Sequence, residues 1–234
     1  MMQKIITPPY VECPDNIRCG QTIILMILKH FLSEHEWTMQ DADNICGYVE
    51  DKETMTHVAI QGMIEKGFEV INISGFDLEK YSKDYFSYMQ EYHGEKIGLE
   101  NIAMADHEMG CVVAKKILTS PHFSYIKRDW EWSDVERLLN EGYLLLTWVD
   151  SRKLDCRNNQ TIVAGHYVLV YGYSKEYEVV QFHDGGSYVA MDDGEEFECN
   201  RAKAMRVGID YFMNAAKSPS GPGGADLTAF RLQK

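Results

Sequence analysis

Apolar residues recur at Ile23, Ile24, Ile27, Leu28 and Phe31, the i, i+3, i+4 spacing of a helix face turned toward a core. The run opens at Cys19-Gly20, so the spacing predicts a helix from Gly20 onward. Ahead of it, Pro8, Pro9 and Pro14 fix φ and remove backbone donors, and residues 1–18 are read as an extended lead-in. Thr38 with Asp41 matches a capping box and starts a short second helix. Residues 54–66 read as a third helix, closed by Gly67 at its C′ position. Residues 68–73 then alternate like a strand. Residues 77–128, rich in Tyr, Met, Lys and Glu, are read as two helices near 77–92 and 105–118. Their aromatic cluster, Tyr81, Tyr85, Phe86, Tyr88 and Tyr92, fits helix packing first and a substrate groove second.

Ser133 with Glu136 forms another capping box, for a helix that stops at Gly142. Trp130 and Trp132, just before it, are read as packing residues first and cleft-lining residues second. Residues 143–149 form a continuous apolar strand, the pattern expected where both faces are covered. Residues 150–164 are a polar loop. Strands follow at 166–173 and 177–183, joined by a turn at Ser174-Lys175-Glu176. Asn200 is placed as the cap of a last helix over 201–216. An irregular tail at 218–224 leads to a short strand at 228–232, and Asp192 to Glu196 reads as an acidic turn. Helices first and a strand meander later argue for an α+β fold. No repeat or interdomain linker interrupts the chain, and residues 1–234 are read as one domain.

The chain has 234 residues, 45% of them hydrophobic and 25% charged, long enough for a substantial core. A net charge of -13 disfavours nucleic acid and anionic membrane as partners. The six cysteines, at 13, 19, 46, 111, 156 and 199, contain no Cys-x-x-Cys pair. With no apolar signal segment and no run of about 18 apolar residues, free thiols in a reducing cytoplasm are expected. His183 and Asp184 are neighbours on a strand and point to opposite faces, so they are a poor pair for one ion. No other cluster has ligand spacing, and neither metal nor cofactor is expected. His30, His35, His57, His93, His107 and His122 are read as surface or structural.

The chemistry-bearing residues are Cys19, His166 and Asp184. A helix N-terminus carries unpaired N–H groups and partial positive charge, which favour thiolate over thiol at Cys19. His166 begins an apolar strand after Gly165, where a polar loop meets a buried sheet. Asp184 ends the next strand, and a hairpin would set it roughly opposite His166. An imidazole there can move the thiol proton, and the acid can hold the ring in the useful tautomer.

The order of Cys19-Gly20 with its apolar run, then Gly165-His166-Tyr167-Val168-Leu169-Val170-Tyr171-Gly172-Tyr173, then Asp184, resembles the C39-like papain-fold cysteine peptidases. The helix–Gly–strand stretch 135–149 is also similar to that family, and the likeness runs from about residue 10 to 186. It implies a papain-like α+β fold, with a helical half carrying Cys19 and an antiparallel sheet carrying His166 and Asp184. It implies Cys19 as nucleophile, His166 as base and acid, and Asp184 as orienter. The expected activity is that of a thiol-dependent hydrolase, a peptidase or amidase, acting on a peptide or small amide or acyl substrate through an acyl-enzyme. Transfer of the acyl group to an amine is the alternative, as is an inactive binding protein of the same fold. The family carries a glutamine six residues before its cysteine as oxyanion donor, and here that position is Cys13. Asn16 and Gln21 are the nearby amides expected to act instead. The family often has proline after the acid, where this chain has Gly185-Gly186. Residues 187–234 have no counterpart in the resemblance.

Overall fold

The computed structural model describes residues 3–15, 17–50, 52–154, 165–185, 188–192, 195–199, 203–217 and 226–233. After a short edge strand β1 (Gln3–Ile5), three helices follow: α1 (Cys19–Phe31), α2 (Met39–Cys46) and α3 (Thr56–Glu65). They lead into β2 (Phe68–Ser74). The Thr38–Asp41 capping box forms as expected, with both reciprocal bonds in place. Gly67 closes the third helix at φ +87°, a backbone region that side chains disfavour.

The 77–128 segment differs from its reading as two helices. It folds as α4 (Leu78–Lys83), α5 (Tyr85–His93), α6 (Glu95–Met104), α7 (His107–Leu118) and a strand β3 (Phe123–Lys127). The physical reason is local capping. Asp84 accepts the Ser87 N–H at 3.0 Å and starts a new helix, and Gly94 at φ +82° turns the chain again. This helical crossover lets β3 lie parallel to β2, which a short turn cannot do.

Next come α8 (Trp132–Asn140), β4 (Leu144–Asp150), a single turn α9 (Ser151–Leu154), β5 (Gly165–Ser174) and β6 (Val179–His183). The cap of α8 is Glu131 with Asp134, two residues earlier than the predicted Ser133 with Glu136. Asp134 wins because it also takes both guanidinium nitrogens of Arg128 at 2.7 Å. β7 (Tyr188–Asp192) and β8 (Glu195–Cys199) pair as a separate ribbon. The predicted helix over 201–216 is shorter. Its first half is a strand, β9 (Met205–Gly208), paired to β6, and α10 (Ile209–Ala216) follows. Asn200, the tail at 218–224 and the loop at 155–164 lie outside the described residues. The chain closes with β10 (Leu227–Leu232).

The sheet runs β3-β2-β10-β4-β5-β6-β9, with β1 added against β5. All described pairings but β2–β3 are antiparallel. β10 lies between β2 and β4, so a segment that the resemblance leaves unmatched occupies the middle of the sheet. Strand residues alternate between two cores. Leu144, Leu146, Leu169 and Phe230 pack with α1 and the helical half. Leu145, Val168, Val170 and Ala229 pack with α8 and α10. The continuous apolar run in β4 is thereby explained, since both its faces are covered. Residues Gln21 through Leu28 of α1 are all buried, so this helix is an axle of the core.

Candidate active site

Cys19 is the first residue of α1 and is partly exposed. The turn into the helix is made by Asp15, whose Oδ1 accepts the backbone N–H groups of Ile17 and Arg18 at 3.0 and 2.9 Å. Arg18 then reaches Asp43 on α2, Nε to Oδ1 at 3.2 Å, and lies 4.2 Å over the Tyr48 ring. The helix start is therefore held by side chains on two sides. Burial by itself would raise the Cys19 thiol. The hydrogen bond and charge of His166, with the backbone N–H groups of Tyr167 and Gly20, outweigh it and lower the pKa.

His166 is the second residue of β5, paired to Val149 on β4, and is 6% exposed. Its Nε2 lies 2.7 Å from Asp184 Oδ1, and Asp184 is 1% exposed. Nδ1 is thus the ring nitrogen left to the sulfur. Burial pushes the imidazole down, but the charge and hydrogen bond of Asp184 and those of Cys19 carry its pKa up to about 9. The thiol is shifted down and the imidazole up, the two directions that favour a thiolate beside an imidazolium.

Two glycines make this convergence possible. A Cβ on Gly165 would stand 2.7 Å from the Trp148 indole nitrogen. One on Gly185 would stand 2.7 Å from Thr22 Cγ2 and 3.0 Å from the Val11 carbonyl oxygen. Gly185 thus lets the Asp184 turn lie directly against α1 and the lead-in, where its carbonyl accepts the Cys13 N–H. The β5–β6 register, Leu169 opposite His183 with a bulge between Val170 and Gly172, sets Asp184 just beyond the ladder.

His183, Gln21 and Cys13 make other contacts. His183 donates Nε2–H to the Pro8 carbonyl at 3.2 Å and accepts the Ala204 N–H on Nδ1 at 3.0 Å. Both its nitrogens serve structure. Gln21 is fully buried, with Nε2 donating to Thr54 Oγ1 at 2.7 Å. Asn16 lies outside the described residues. Cys13 is buried, its thiol donating to the Asp15 carbonyl at 2.8 Å. Among the described residues, no group of three His, Cys, Asp or Glu side chains is placed to hold a metal ion, and no helix is long and apolar enough to cross a membrane.

A cavity of about 170 Å³ opens beside this cluster. Tyr167 joins the two, since its backbone N–H reaches the sulfur and its hydroxyl meets Thr56 Oγ1 at 2.8 Å on the cavity wall. Asn72, His57, His107 and Asp226 also line it. Sequence reading missed these residues, which come from α3, α7, β2 and the approach to β10 and share no local pattern.

No family model matches the chain, and no curated protein matches it. Two solved structures are similar in outline. One is a double glycine motif protease from an AMS/PCAT transporter, in complex with the leader peptide. It is 9% identical at a TM-score of 0.46, with 100% of each chain covered. The other is the peptidase domain of Streptococcus ComA, a bi-functional ABC transporter involved in a quorum sensing pathway. It is 11% identical at a TM-score of 0.44, with 98% of each chain covered.

Proposed function

We propose that this protein is a thiol-dependent hydrolase, a peptidase or amidase, in which Cys19 is the nucleophile, His166 the acid and base, and Asp184 the orienting carboxylate. The observation that carries the reading is the chain of contacts from sulfur to imidazole to carboxylate at the N-terminus of α1. The sequence likeness to C39-like papain-fold peptidases supports it, as does the placement of cysteine on a helix and of histidine and acid on an antiparallel sheet.

In this reading the Cys19 thiolate attacks a substrate carbonyl carbon, and a C–S bond forms. The developing oxyanion is met by backbone N–H groups at the start of α1. As the C–N bond breaks, the His166 imidazolium gives its proton to the leaving amine. The neutral ring then takes a proton from water, whose oxygen attacks the thioester. The acid product leaves, and the thiolate–imidazolium pair returns. Asp184 holds the ring by Nε2 throughout, so that Nδ1 does the proton transfer. The expected substrate is a peptide or small amide, and the expected setting is the cytoplasm.

One observation favours a second reading, a binding protein that performs no turnover. Cys13 stands where the related peptidases carry an oxyanion-donating glutamine, and its thiol is buried against Asp15. Removing one such donor lowers rate by about 10²–10³ in enzymes that depend on it. A mass-spectrometric search for an acyl group on Cys19 after exposure to peptide amides separates the two. A thioester that forms on Cys19, disappears with release of acid and is lost in Cys19→Ala supports the hydrolase. Absence of any acylated Cys19 across the panel overturns it in favour of binding alone.

A further inference from the structure

The cavity beside Tyr167 has a charge balance that asks for an occupant. Asp226 lines it, with Oδ1 accepting Asn72 Nδ2 at 2.7 Å, and the hydroxyls of Ser74 and Thr56 also reach the carboxyl. All of these donors are neutral. Glu53 also lines the cavity, whereas no lysine or arginine stands among the described lining residues. The three histidines in the wall do not supply a cation. Burial drives His57 down to about 3 and His93 to about 4, and lowers His107 as well. Burial also raises Asp226 to about 6, the mark of a carboxylate lacking an opposite charge. A desolvated carboxylate held only by neutral donors is stabilised further by a cation brought to it.

Two other observations point to a ligand. Among the buried polar atoms, His57 Nε2 and Asn101 Nδ2 have no hydrogen-bond partner, and both residues line this cavity. Buried polar atoms are nearly always satisfied, so an unmet ring nitrogen and an unmet amide nitrogen on two lining residues mark a wall whose polar groups are incompletely partnered. The walls are aromatic as well: Phe76, Tyr81 and Tyr125 present rings whose faces attract cations. The volume, about 170 Å³, lies below the roughly 300–1,000 Å³ of a drug-sized pocket and suits one side chain.

We propose that this cavity is a recognition subsite for a lysine-like residue, its side-chain ammonium bound by Asp226 between aromatic walls. Tyr167 couples the subsite to Cys19, so the bound amine belongs to the molecule that the sulfur attacks. That last point alone rests on the hydrolase reading.

The test uses the full chain carrying Cys19→Ala, to stop turnover, and calorimetry with two probes that share a four-carbon side chain and differ by the terminal ammonium, N-acetyl-lysine amide and N-acetyl-norleucine amide. The lysine probe is expected to bind at least about tenfold more tightly, and Asp226→Asn, with unchanged melting temperature, is expected to erase that difference. Equal affinity for the two probes, or no binding of the lysine probe, overturns the proposal. So does a folded Asp226→Asn protein that still prefers lysine. Should Asp226→Asn lose its fold, the comparison of probes on the parent chain decides alone. Alkylation of Cys19 in the unmodified protein is measured alongside. Discrimination without a fast thiol keeps the subsite and removes the hydrolase, and a fast thiol without discrimination does the reverse.

Discussion

At the scale of single residues, the protonation of the sulfur is the property to measure. Cys13 and Cys46 are pushed up by burial, while Cys19 is pulled down by its neighbours. Iodoacetamide at pH 6–7, followed by peptide mapping, is expected to modify Cys19 far ahead of those two. His166→Ala is expected to slow that reaction at least about tenfold, because the thiol loses its charge partner. In the hydrolase proposed above, the alkaline limb of turnover is expected to belong to the imidazolium. Its proton is present below, and lost above, a pKa of about 9. Asp184→Asn removes the charge that raises this value, so the limb is expected to move to lower pH. A limb that stays in place would show that the carboxylate does not govern the ring. These three residues were legible because each sits at a landmark: a helix start, a strand start and a strand end. Asp226, Asn72 and His57 were not, because nothing within a few positions of any of them marks it as part of a cavity.

At the scale of elements, close approaches matter more than propensity. Gly185→Ala places a methyl group 2.7 Å from Thr22 Cγ2. Overpacking of this kind costs about 1–3 kcal/mol. The substitution is expected to lower the melting temperature and to slow Cys19 alkylation together, since the Asp184 turn must retreat from α1. Thr38→Ala removes one half of the α2 capping box, worth roughly 1 kcal/mol. It is expected to lower stability without changing the thiol. The same reasoning explains what the pattern of the chain predicted well and badly. The capping box at Thr38 and the glycine stops at 67 and 142 are local chemistry and were read correctly. The break at Asp84 is also local, but it was hidden inside an aromatic-rich stretch that satisfies helical spacing on both sides. β3 was missed because only its parallel partner β2, remote in sequence, with Val70 opposite Phe123, makes it a strand.

At the scale of the whole molecule, the sheet is assembled from remote parts. Asn72 on β2 and Asp226 at the approach to β10 are 154 positions apart and meet at 2.7 Å. Contacts of such separation slow folding, because the loop must close before they contribute. Removing residues 226–233 is expected to abolish cooperative unfolding, read by circular dichroism, because β2 and β4 would each lose a neighbour in the sheet. The α+β class was legible from the order of helices and strands. The position of β10 was not, since a short apolar strand carries no sign of which strands it will join.

β10 has one more implication. The residue that introduces it, Asp226, is also a wall of the cavity, so seating the final seam and completing the pocket are a single event. Any guest that grips that carboxylate acts as a bolt on the strand behind it. Amide hydrogens of β10 should then exchange more slowly with heavy water when the guest is present, and the melting temperature should climb with its concentration.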